Sequence, residues 1–145
     1  MKKFLLTFLI LTLVSSFAYA GAPKVNWDKF SENLTTSLKS ENKGVKLSAM
    51  QLIIQYSDDL DVTDGVYDVM REFRNNEDQK IRKLALITLY KMHDDWAIDF
   101  LKMQHKFEDN SEIKNTIEKI VSAHQSENKV KIAKIVNDTY LSLAL

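Results

Sequence analysis

Three histidines, His93, His105 and His124, and a run of carboxylates, Asp58, Asp59, Asp61 and Asp64, are the side chains best suited to acid–base or metal chemistry in this sequence. Two imidazoles on adjacent turns of one helix could share a metal ion. No two of these histidines stand three or four residues apart, and each falls near an expected helix end or on a boundary face. The four aspartates offer the hard oxygens that calcium prefers. Counting a calcium-binding EF-hand loop from Asp59, however, puts Asp64 where the turn needs Gly and Met70 where the site needs Glu. The segment is read instead as a solvated loop that caps a helix. No carboxylate stands alone in an apolar run, where burial would raise its pKa toward a catalytic value. There is no Gly-x-Ser-x-Gly elbow and no Gly-rich phosphate loop. The absence of cysteine excludes thiolate nucleophiles, Cys-ligated zinc and disulfides. The chain is expected to carry no catalytic residue, no metal and no cofactor.

The aromatics suggest binding. Trp27, Phe30, Tyr56, Phe73, Phe100 and Phe107 fall on expected apolar stripes, where core packing accounts for them. Tyr67 and Trp96 sit at helix beginnings near a stripe's edge, and both residue types are common at partner hot spots. The last helix carries Ile132, Ile135, Val136, Tyr140, Leu141, Leu143 and Leu145, more apolar residues than one face needs. Deep packing is its expected use. The alternative is an apolar strip open to a partner. Tyr67, Trp96 and Tyr140 are therefore the candidate partner-binding residues.

Helices must position these groups. Apolar residues recur at three and four rather than alternating. Only three glycines and one proline are present, too few for a sheet-rich fold with many turns. Seven helices are expected: from about Asn26 to Lys39, Lys43 to Tyr56, Asp64 to Arg74, Gln79 to Met92, Asp95 to Phe107, after Ser111 to about His124, and Lys129 to Leu143. Asn26, Thr63, Asp78 and Asp94 are the expected start signals. Apolar stripes include Val45, Ala49, Leu52, Ile53 and Tyr56 in the second helix and Ile81, Leu84, Ala85, Thr88, Leu89 and Met92 in the fourth. In the fifth, Trp96, Phe100, Met103 and Phe107 align, with Ala97, Ile98 and Leu101 widening the face. The short polar links make successive helices antiparallel neighbours.

The second, fourth and sixth helices repeat one pattern: Val45-Lys46 with Ala49, Ile81-Arg82 with Ala85, and Ile113-Lys114 with Ile117. The copies are spaced by 36 and 32 residues, a period expected of a two-helix array. Such a unit cannot hide its own apolar face, so stacking buries a shared core, with the first and seventh helices covering the ends. The segment Glu77-Asp78-Gln79-Lys80-Ile81-Arg82-Lys83-Leu84-Ala85-Leu86-Ile87-Thr88-Leu89 resembles a bacterial-type HEAT repeat, and related copies begin at Gly44-Val45-Lys46 and Glu112-Ile113-Lys114. The resemblance spans residues 41–124. It implies an all-α, short right-handed HEAT-like solenoid that works as a scaffold or binding surface, with no catalytic residue in the motif.

The chain opens with Lys2 and Lys3, an apolar run from Phe4 to Val14, and Ala18-Tyr19-Ala20. That order is expected of a cleavable secretory signal. Cleavage is expected after Ala20, because a cut after Ala22 would meet Pro23. Residues 21–25 then form a short linker and residues 26–145 one helical-repeat domain. The exported part carries 18 basic and 20 acidic residues, a net charge of −2. Such a surface gives no reason to expect nucleic acid as a partner, and no segment after the signal is expected to cross a membrane. The reading is of a periplasmic or secreted bacterial protein that presents a rigid concave face to a protein partner. An accessory or sensor part of an anti-sigma-like envelope system is one alternative, and a small-ligand carrier or enzyme the other.

Overall fold

The computed structural model describes residues 24–143. The expected signal segment, its cleavage residues Ala18 and Ala20, and Leu145 lie outside the described residues. Seven α-helices follow one another, with no strand among the described residues: α1 (Trp27–Leu38), α2 (Lys43–Tyr56), α3 (Val66–Asn75), α4 (Gln79–Lys91), α5 (Asp95–Gln104), α6 (Ser111–Gln125) and α7 (Lys129–Ser142). No described helix is long and apolar enough to cross a membrane.

The starts are fixed by short polar side chains. Asn26, Asn42, Asp78, Asp94, Asn110 and Asn128 each accept a hydrogen bond from a backbone N–H in the first turn of the helix that follows. Each satisfies a donor that the helix itself leaves free, which stabilises the start by about 1 kcal/mol. The exception is α3. Thr63, the expected cap, instead donates its hydroxyl to Asp61 Oδ1 at 2.6 Å, and Thr63–Gly65 forms a 3₁₀ turn that leads into the helix without a side-chain cap. Gly65 is buried there, and a Cβ at this position would stand 2.6 Å from Leu38 Cδ1. A side chain here would have to displace the buried Leu38 at the end of α1, which favours glycine.

One continuous core runs from Leu34 to Leu143. The helix α4 lies at its centre, against α2, α3, α5, α6 and α7. Its expected stripe is buried, and so are Leu86 and Ile87 on other faces, because neighbours surround it. The Thr88 hydroxyl, also buried, donates to the Leu84 carbonyl at 2.8 Å. Packing joins α1 to α2, α3 to α4 and α5 to α6; α4 also touches α2 and α6, and α3 touches α5. The last helix packs on both α6 and α4.

Two stripes differ from expectation. In α2, Met50 is buried with Ala49 and Ile53, whereas Val45 is 41% exposed. Its counterparts Ile81 and Ile113 are buried, because α4 and α6 each pack on at least three helices, whereas α2 packs mainly on α1 and α4 and meets α3 through the Lys46–Glu72 pair. In α5, Ala97, Ile98 and Leu101 are buried with Phe100, while Trp96, Met103 and Phe107 face solvent. The helix ends at Gln104, and Phe107, 72% exposed, lies in the turn beyond it. The helix has two apolar faces, and the one that carries Trp96 and Met103 is covered by α3 only around Phe100.

The starts of α2, α4 and α6 share a polar connection. Ser40, Asn76 and Glu108 each use a side-chain oxygen to accept from the backbone N–H of the N-cap two residues on, Asn42, Asp78 and Asn110. Lys46 pairs with Glu72, and Arg82 pairs with Glu108, each across 26 residues of chain. Each pair links its helix to a segment that follows it in the chain.

Candidate functional site

Tyr67, Met70 and Arg74 recur at three and seven along α3, so they share one side of that helix. Trp96, Asp99, Phe100 and Met103 do the same on α5. The contact of α3 with α5 brings the two rows together around a shallow groove of about 330 Å³. Tyr67 is 55% exposed and Trp96 57%, a large apolar area for a folded surface. Met70 and Phe100 are buried and form the floor.

The floor is fixed from behind. Phe100 meets Phe73 edge to face, with ring centres 5.9 Å apart and planes at 83°. The Arg82 guanidinium lies 5.3 Å from the Phe73 ring centre, and its Nε donates to the Phe73 carbonyl at 2.9 Å. The other end of Arg82 is held by Glu108. On the solvent side, the Arg74 guanidinium stands 5.9 Å from the Phe100 ring centre. Asp68 is paired with Arg71 at 2.9 Å and Asp99 with Lys102 at 2.8 Å. Arg74 has no ion-pair partner among the described residues, so it is the uncompensated charge at the groove. Such a surface can bury an apolar side chain and hold a carboxylate beside it.

Of the residues singled out in the sequence, Tyr67 and Trp96 thus share a site. Tyr140 does not reach it: it lies on α7, half-buried against the core. Val130 and Leu141, on the same helix, are exposed, while Ile132, Val136 and Leu143 are buried. Met103 and Arg74 complete the groove and were not singled out by sequence reasoning. The signal for Met103 was its place in the Trp96 stripe, which could be drawn but not aimed.

A second concavity, of about 660 Å³, opens where the ends of α4 and α6 meet the starts of α5 and α7. His93 and His124 both line it, though 31 positions separate them in sequence. His93 Nε2 is 3.6 Å from Asp58 Oδ1, and the His124 ring meets Tyr90 edge to face at 6.2 Å. Burial pushes the Tyr90 phenol up from its ordinary pKa. The aspartates of the early loop separate: Asp58 belongs to this cleft, whereas Asp61 and Asp64 line a polar hollow beside α1. Among the described residues, no three His or carboxylate side chains are arranged to hold a metal ion.

Comparison with known proteins adds no relative: no family model, no curated protein and no solved structure matches this chain.

Proposed function

We propose that the chain is an exported, HEAT-like scaffold without catalytic activity of its own, and that it docks a protein partner across the groove between α3 and α5. The observation that carries this reading is the meeting of Tyr67 and Trp96, two half-exposed aromatics from separate helices, over a rigid apolar floor. Tyr and Trp anchors in a preformed pocket contribute most of the affinity at many interfaces.

The solenoid part of the proposal draws on the recurring Lys46–Glu72 and Arg82–Glu108 pairs and on the order of packing. In it, α1/α2, α3/α4 and α5/α6 are antiparallel two-helix units, with α2, α4 and α6 forming one row and α1, α3 and α5 the other. Because α7 packs across α4 and α6, the docking surface is assigned to the α3–α5 row rather than to the row that α7 covers. The occupant that suits the groove is an extended or helical segment with an apolar anchor beside a carboxylate, the anchor over Met70 and Phe100 and the acid at Arg74. Export, to the periplasm or the medium, rests on the opening residues of the sequence.

A photo-crosslinking amino acid in place of Tyr67 tests the assignment in cells of the native host. One discrete adduct is expected, and it should disappear when Trp96→Ala is added. An adduct of equal strength from a probe in place of Ser48, exposed on α2, would remove the case for this groove.

A further inference from the structure

The groove between α3 and α5 is walled by helices, and that limits what can lie in it. Away from the helix ends, the backbone N–H and C=O groups of both walls are consumed within each helix. The groove therefore has no sheet edge to which an extended chain could add its own hydrogen bonds. A strand-like segment would bury unpaired backbone polar groups there. A helix brings its backbone already satisfied and turns only side chains toward the floor.

The spacing of the groups agrees with this. Tyr67, Met70 and Arg74 follow one another by three and four residues, and Trp96, Phe100 and Met103 by four and three. These are the intervals at which one helix packs on another. Backbone hydrogen bonds from Lys106 N to Met103 O and from Phe107 N to Gln104 O wind the chain one turn past the end of α5, where Phe107 stands exposed. From Trp96 to Phe107 the wall is about 16 Å long, a length that about three turns of helix would match.

Charge adds a third constraint. Asp68 is paired with Arg71 and Asp99 with Lys102, while Asp95, next to Trp96, lines the other concavity. Arg74 in the last turn of α3 and Lys106 just beyond α5 are exposed and have no ion-pair partner among the described residues. Resting on the docking reading of this groove, we infer that its occupant is an acidic amphipathic helix of about three turns from another chain. Its apolar residues, at intervals of three and four, lie between Tyr67 and Trp96 over Met70 and Phe100, and its carboxylates face Arg74 and Lys106. The other helices of this chain keep their apolar stripes in their own core, so none of them is free to serve.

The probe is an N-acetylated, C-amidated peptide of about 15 residues, with leucines spaced by four, three and four and glutamates on the flanks. It is titrated into the ¹⁵N-labelled protein. Saturable shifts are expected at the Trp96 indole N–H and at the amides of Tyr67, Arg74 and Met103, with Kd on the order of 100 µM. A proline at the centre of the peptide breaks its helix and should weaken binding by about tenfold or more. Moving the leucines out of register should do the same, and so should lysine in place of glutamate. In the variant Arg74→Glu with Lys106→Glu, both surface changes, the lysine peptide should become the tighter binder at unchanged Tm. No binding, equal binding of the proline or out-of-register peptide, or an unaltered charge preference in the variant would overturn the inference. The docking reading is judged separately by the crosslink from position 67. A discrete adduct alongside failure of the helical peptide keeps the groove as a docking site and overturns the helix as its occupant.

Discussion

Arg82 holds Glu108 across 26 residues of chain, and both groups are withdrawn from solvent while the carboxylate also accepts from the backbone of Asn110. The pair therefore ties the start of α4 to the loop that opens α6. Removing the acid strands a guanidinium in a largely dry setting and frees the N–H of a helix cap. Glu108→Ala should cost about 3 kcal/mol of stability, measured by urea unfolding. The Glu108→Gln variant keeps an acceptor for Asn110 and should cost less. Equal losses in the two would show that charge is irrelevant to this contact.

The Lys46–Glu72 pair between α2 and α3 predicts a pH effect. Burial raises the Glu72 pKa, but hydrogen bonds from Lys46 and Asn76, together with the charges of Lys46 and Arg71, outweigh it and hold the carboxyl below its ordinary value. A depressed folded-state pKa stabilises the fold above the unfolded-state pKa, about 4.3, and that contribution fades as pH falls through the lower folded value. Acid should therefore lower the Tm of the native chain more steeply below pH 5 than that of Glu72→Gln. At pH 7 the variant should be weaker by about 1 kcal/mol. Parallel Tm curves for the two proteins from pH 7 to 3 would contradict this account.

Gly65 should resist substitution for steric reasons alone. A methyl group there meets Leu38 inside the core, so Gly65→Ala should lose about 1–3 kcal/mol despite its greater helix propensity. Pairing it with Leu38→Ala makes room, so the double variant should lose less than the sum of the single changes. Differential scanning calorimetry of the three proteins reads this directly.

Trp96 should behave in the opposite way. More than half exposed, it contributes little to the fold, and Trp96→Ala should change stability by no more than about 0.5 kcal/mol. Its removal should abolish the crosslink from position 67. A loss of several kcal/mol would mean that the ring packs as core.

The helices were legible because their starts are written in local chemistry: Asn26, Asp78 and Asp94 cap where their side-chain preferences say they should. Thr63 shows the limit of that logic: it is the first residue of a 3₁₀ turn that leads into α3, with Val62 at the cap position, and its hydroxyl is turned onto Asp61. The direction of each stripe was less legible. Periodicity showed that Trp96, Phe100 and Met103 share a side of α5, but which of its two apolar sides turns inward depends on where α3, α4 and α6 lie. The site was half visible for the same reason. Tyr67 and Trp96 stood out by residue type, whereas their meeting, and that of His93 with His124, comes from helix packing, which no local pattern encodes.

The return of α7 onto α4 has a bearing on how the molecule comes apart. A row of helix pairs that touch only their successors can peel from one end, unit by unit. Here α7 is fastened to the central helix α4 as well as to α6, so α6 cannot fray without also loosening the centre of the core. Melting should then be a single cooperative event, and deuterium should enter the amides of α4 only as fast as the whole domain opens.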